Sequence, residues 1–178
     1  MPAKLAILVL VLTTVAGCGR TRYQVETQGQ VYSLTTLHAD ARGRISSVNY
    51  TNGTRIPICT PVEFGAISSR QARFTHAQTG QRFTYTMHRS ARTPIDQQMA
   101  RNFGTACPNT AAMSPEDQAG IQQGQVFPGM TKQGVIMAAG YPPEHRTPSL
   151  QQDTWRYWGS RNRTFEVHFV NGVVAEIQ

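Results

Sequence analysis

The hydrophobic rhythm of the chain changes twice. After a continuously apolar run at residues 5–12 and a polar stretch, apolar and polar positions alternate with the period of two that marks a half-buried strand. Residues 31–38 (VYSLTTLH) and 44–50 (RISSVNY) read as strands around a turn at Ala41-Arg42-Gly43. Segments 61–67, 71–76 and 81–88 continue in β-branched and aromatic residues, the last two joined tightly through Thr79-Gly80. Thr93-Pro94 then opens a helix, with Pro94 at the first helical position, where its missing N–H costs nothing. Ile95, Met99 and Phe103 share one helical face, and Gly104 ends it. Residues 31–108 therefore read as a small β-rich domain, a barrel or roll closed by one helix.

Residues 109–113 are linker-like, and beyond them the period becomes helical. Ser114 with Asp117 has the form of a capping box, Pro115 takes the first helical position, and Gly124 ends the helix. A second helix opens at Thr131, whose hydroxyl can accept a first-turn N–H, and stops at Gly140 before Pro142-Pro143. Gly134 inside it is unfavourable by about 1 kcal/mol relative to Ala, which implies close packing there. Strands follow at 153–158, 163–170 and 173–177, with Phe165, Val167 and Phe169 on one face. Taking Val173, Ala175 and Ile177 as the apolar face of the last strand favours a three-residue bulged loop at Asn171-Gly172. That loop pairs Phe169 with Val173, where a two-residue loop would pair it with Val174. The fold class expected is α+β.

The apolar run at 5–12 follows Lys4 and precedes the small residues Val15-Ala16-Gly17-Cys18, which is the order of a secretory signal and too short to span a bilayer comfortably. Val-Ala-Gly-Cys resembles the lipobox of bacterial lipoproteins. The resemblance implies removal of residues 1–17 and acylation of Cys18, followed by a tether over 18–30. Each buried acyl CH2 adds about 0.8 kcal/mol to such an anchor. By the sorting habit of that family, Gly19 after the cysteine points to the outer membrane. An exported chain makes Cys59 and Cys107 a natural disulfide; they lack Cys-x-x-Cys spacing, and neither a redox motif nor a zinc site is expected. In the chain-entropy picture such a bridge stabilises by about 4 kcal/mol.

The formal net charge of the 178 residues is +7. Of the 17 basic residues, only Lys4 and Lys132 are lysines. A basic surface suits anionic headgroups or acidic partners, but the arginines are scattered along the sequence and export argues against nucleic acid.

The stretches IQQGQVFPGMTKQGVIMAAGYPP, DTWRYW and FEVHFVNGVVAEI, within residues 114–178, resemble the SmpA/OmlA domain of BamE-like outer-membrane lipoproteins. The resemblance is carried by Ile121 with Gly124, Gly129-Met130-Thr131, Val135, Gly140 with Pro142, Trp155 with Tyr157, and the terminal hairpin. It departs from the usual pattern at Ala139 and Tyr141, and in the β-rich domain placed before it. The resemblance implies two helices packed on a three-stranded antiparallel sheet (ααβββ) without a catalytic role or cofactor. It also implies a periplasm-facing accessory function through an envelope protein such as the β-barrel assembly machinery, with anionic lipid contact. Related folds also inhibit secreted hydrolases, which leaves an inhibitor or envelope-stress binding module as the alternative.

The histidines His38, His76, His88, His145 and His168 are dispersed without metal-ligand spacing, and the serines lack the framing of a nucleophile elbow. No metal site is expected. Alternation turns Trp155 and Tyr157 to the core and Arg156 and Trp158 to the opposite face. Trp158 is then either exposed beside a cation, a pairing enriched at binding hot spots, or covered by the β-rich domain. Trp158, Arg156 and Tyr141 are the candidate partner-binding residues.

Overall fold

The alternating segments at 61–86 form the longest hairpins of the first half in the computed structural model, which describes residues 22–23 and 29–178. Cys18 and the leader lie outside the described residues. The fold is α+β, with three helices and mostly strands among the described residues, one sheet being curled into a half-barrel.

In chain order the first half contains β1 (Arg22–Tyr23), β2 (Val31–Ser33), β3 (Leu37–Ala39), β4 (Arg44–Ser46), β5 (Thr54–Ile56), β6 (Pro61–Ser68), β7 (Gln71–His76), β8 (Arg82–Thr86), α1 (Ile95–Asn102) and β9 (Phe103–Gly104). The curled sheet runs β4-β8-β7-β6-β2-β9, with β1 also pairing β6. Alternate residues Val62, Ala72, Phe74, Phe83 and Tyr85 point inward and are buried. Phe74 lies within 5.8 Å, centroid to centroid, of Phe64, Phe83 and Phe103. Ile95 and Met99 of α1 close over this cluster, as their spacing requires.

Three details depart from the sequence expectation. Residues 31–38 and 44–50 do not form one hairpin. The turn at 41–43 exists, with Gly43 at φ 72, but β2 pairs β6 and β9, β3 pairs β5, and β4 pairs β8 in parallel. The two serine–threonine stretches interrupt the strands, so each short piece finds a separate partner. Pro94 is the cap residue, in extended conformation, and not the first helical residue. The helix stops at Asn102 because Phe103 turns extended and pairs Ser33. Cys59 and Cys107 are bridged, their Cα atoms 4.9 Å apart, which ties the loop before β6 to the segment after β9.

The second half contains α2 (Pro115–Gln123), α3 (Lys132–Ala139), β10 (Thr154–Ser160), β11 (Arg163–Val170) and β12 (Val173–Ile177), the strands forming an antiparallel sheet in that order. Ser114 caps α2 by accepting from Asp117 N–H at 3.1 Å. The Asp117 carboxylate does not reach back as a capping box would. Instead it accepts from Thr131 N–H (2.8 Å) and Thr131 Oγ1 (2.9 Å), and so holds the start of α3 against α2. A Cβ at Gly134 would overlap that carboxylate, which explains the glycine inside the helix. Ile121, Val135 and Ala138 then pack with Trp155, Tyr157, Val167, Phe169 and Val174 into a second core.

The terminal hairpin corrects the expected register. Val170 pairs Val173 across a two-residue turn, with Asn171 at φ 52 and Gly172 at φ 79, and Phe169 pairs Val174. Both central residues are left-handed, as the favoured two-residue hairpin turn requires. The extra residue is Ala175, inside the strand, so Val167 meets Ile177. Val174 and Ile177 therefore face inward, while Val173 and Ala175 are exposed.

The halves join at the end of α3. Thr36 N–H donates to Met137 O (2.9 Å), Asn49 Nδ2 donates to Ala139 O (2.8 Å) and Thr36 O (3.1 Å), and Tyr157 Oη donates to Gly140 O (3.0 Å). Asn49 Oδ1 also accepts from His38 N–H at 3.0 Å. Asn49 is buried at φ 43, a left-handed conformation that asparagine tolerates better than most residues. Replacing Asn49 by Ala strands two buried carbonyls and one N–H and is expected to destabilise by about 3 kcal/mol. Urea unfolding measures this; an unchanged midpoint would show that the seam does not depend on Asn49.

Candidate functional site

Three loops converge where β10 leaves the second core. Residues 87–92 follow β8, residues 141–147 follow α3, and residues 158–162 take in the end of β10 and its turn to β11. The middle loop is fixed by Glu144, which accepts from Arg92 N–H (2.8 Å), Thr93 N–H (2.9 Å) and Arg101 Nη1 (3.0 Å). Burial pushes the Glu144 carboxyl up, but hydrogen bonds from Thr93 and Arg92 and the Arg101 charge outweigh it and hold the group at about 2. The third loop is tied down by Thr51 N–H donating to Trp158 O at 3.0 Å.

Between these loops the Ser90 hydroxyl lies 2.7 Å from His88 Nδ1 and 2.9 Å from His145 Nδ1. Ser90 N–H also donates to His88 Nδ1, at 3.3 Å. The two imidazoles stack with centroids 6.2 Å apart, and His145 stacks in turn on Trp158 at 6.4 Å. Burial first, then the charges of Arg146, His88 and Arg92, holds the His145 imidazolium pKa below its ordinary value. A serine beside an imidazole is the start of a nucleophile–base pair, but such a pair also uses a third group to orient the base. The adjacent carboxylate, Glu144, is turned instead to Arg92, Thr93 and Arg101. What the geometry supports is a rigid polar stack that fixes Trp158.

Trp158 lines a hollow of about 340 Å³ with Val48, Tyr50, His145, Arg89, Arg146 and Arg161, among others. The lining includes no carboxylate. Tyr50, His88, Arg89 and Arg161 also line a larger, adjoining hollow of about 910 Å³. Trp158 is thus half-covered by the first half of the chain, between the two alternatives the sequence left open.

The other candidates lie elsewhere. Arg156, on the same sheet face, pairs with Glu166 across β10–β11, and Glu166 also lies 3.7 Å from His168 Nε2. Tyr141 lies under the Arg101 guanidinium, 4.5 Å from its ring centroid, and lines a separate groove of about 350 Å³ with Ile136, Met137, Leu150 and Trp155. The structure does not bring Tyr141 into the hollow of Trp158. Cys59 and Cys107 serve the bridge. Among the described residues, no group of three or more metal-ligating side chains is found.

Sequence reasoning missed the Ser90–His145 contact and the gathering of arginines, because Ser90 and His145 stand 55 residues apart in the chain and the arginines come from three different loops. The only local signal was His88-Arg89-Ser90, repeated in kind at His145-Arg146-Thr147. No protein-family model, curated protein or solved structure matches this chain.

Because the Glu144 pKa is depressed in the fold, its contribution to stability is full above about pH 4.5 and is lost as pH falls toward 2. Glu144→Gln should therefore lower the melting temperature at pH 7, and the gap to the parent protein should close on acidification through that window. Melting curves from pH 7 to 2 check this; a gap that stayed constant would remove Glu144 from the seam.

Proposed function

We propose that this chain is a non-catalytic bacterial envelope lipoprotein, acylated at Cys18, held at the outer membrane and facing the periplasm. There it acts as an accessory binding factor in outer-membrane protein assembly or envelope integrity. The observation that supports the reading is the composition of the second core. The residues that carry the BamE-like resemblance are the ones that build it. Gly124 is the left-handed cap of α2, Thr131 caps α3, Met130 and Val135 are fully buried, and Trp155 and Tyr157 lie beneath the helices. In this reading the two helices and three strands form a BamE-like ααβββ unit, and the first half is an added β-rich module. Fold likeness alone does not assign a partner, so the reading rests on the resemblance together with this packing. No helix among the described residues is long and apolar enough to cross a membrane, so in this reading the acyl anchor supplies the attachment.

The partner surface in this reading centres on Trp158, a half-exposed aromatic beside arginines that form no ion pair among the described residues, the residue types over-represented at interface hot spots. Crosslinking a tagged copy in its native membrane should recover an envelope-assembly component. Trp158→Ala should reduce that recovery several-fold while leaving the melting temperature nearly unchanged. Recovery of a secreted hydrolase alone would support the inhibitor reading instead, and a large loss of melting temperature would return Trp158 to a packing role.

A further inference from the structure

The strongest unassigned feature is the pair of joined hollows at the seam. Three arginines, Arg89, Arg146 and Arg161, line the smaller one from three separate loops. None of the three forms an ion pair with a described residue; the acidic partners present serve Arg44, Arg101, Lys132 and Arg156. All three are solvent-exposed, no carboxylate lines the hollow beside them, and guanidinium is the group best suited to oxyanions.

The larger hollow has different chemistry. Apart from Ile45 and Met87, its lining is mostly hydrogen-bonding, with Ser46, Asn52, Gln71, Thr86, Ser160 and Asn162. Its one lining carboxylate, Asp40, is already paired with Arg44 at 2.8 Å. Tyr50 is partly buried and lines both hollows. Neutral amides and hydroxyls around an aromatic ring suit a polyhydroxylated ligand, whose hydroxyls pair with the side chains while its C–H face lies on the ring. Each hollow is in the size range of small-molecule sites.

We propose that the joined hollows bind a small anionic carbohydrate. Its phosphate or carboxylate sits among Arg89, Arg146 and Arg161, and its hydroxyls are held by Asn52, Gln71 and Asn162. The inference needs only the seam geometry and does not depend on the lipoprotein reading.

The test uses the full-length protein in a polyoxyethylene detergent, which brings no sugar or phosphate of its own. Glucose 6-phosphate, glucuronate, glucose and inorganic phosphate are each titrated by calorimetry. A fifth arm measures binding to phosphatidylglycerol vesicles. At least one of the two charged sugars is expected to bind roughly tenfold more tightly than either glucose or inorganic phosphate, since only it engages both hollows. Arg146→Gln with Arg161→Gln should abolish that binding. Asn162→Ala, in the lining of the larger hollow only, should weaken the sugar while leaving inorganic phosphate unchanged. No binding by either charged sugar overturns the proposal. So does equal affinity for inorganic phosphate, which would reduce the site to an oxyanion hole without sugar recognition. Binding confined to the vesicles would assign the arginines to a lipid surface and likewise overturn it.

Discussion

A helix end must find partners for its last carbonyls, and in this chain α3 finds two of them in residues from outside its own half. Met137 O is met by Thr36 N–H and Ala139 O by the Asn49 side chain, while Tyr157 Oη closes Gly140 O. Buried carbonyls left unpaired cost about 1–3 kcal/mol each, so the second core and the first sheet cannot part without exposing or stranding these groups. Asn49 is the hinge of the arrangement. One planar amide in a left-handed turn bonds β3, the residue before it and the end of α3 together.

The seam follows from that constraint. With α3 fixed, the loop after it is carried over α1, where Glu144 takes two backbone N–H groups and one guanidinium. That placement sets His145 against Ser90 and Trp158, and it brings Arg146 beside Arg89 and Arg161. The concavity is therefore a product of the joint and belongs to neither core. A binding reading centred on Trp158 and an anion reading centred on the arginines both draw on the same rigid stack.

Local chemistry in the sequence carried much of the fold. Glycine and threonine at helix ends, the bridged cysteines and the inward Trp155 and Tyr157 sit as their spacing suggests. What was not legible was decided by distant partners. The short pieces at 31–33, 37–39 and 44–46 look like one hairpin, but each pairs with a strand that sequence alone cannot select. In the terminal hairpin the turn preference of Asn171-Gly172 prevails over strict alternation, and a bulge at Ala175 restores burial to Ile177. The arginines look scattered because only the fold brings their three loops together. Cys18 belongs to a stretch outside the described residues, so the anchor remains a reading of the sequence.

The central claim is that the two cores form one body through the end of α3. Differential scanning calorimetry of the full-length protein tests it most directly. The account predicts one transition, with calorimetric and van't Hoff enthalpies equal. Two separable transitions, or a calorimetric enthalpy well above the van't Hoff value, would contradict it and leave the seam as a loose contact between independent units.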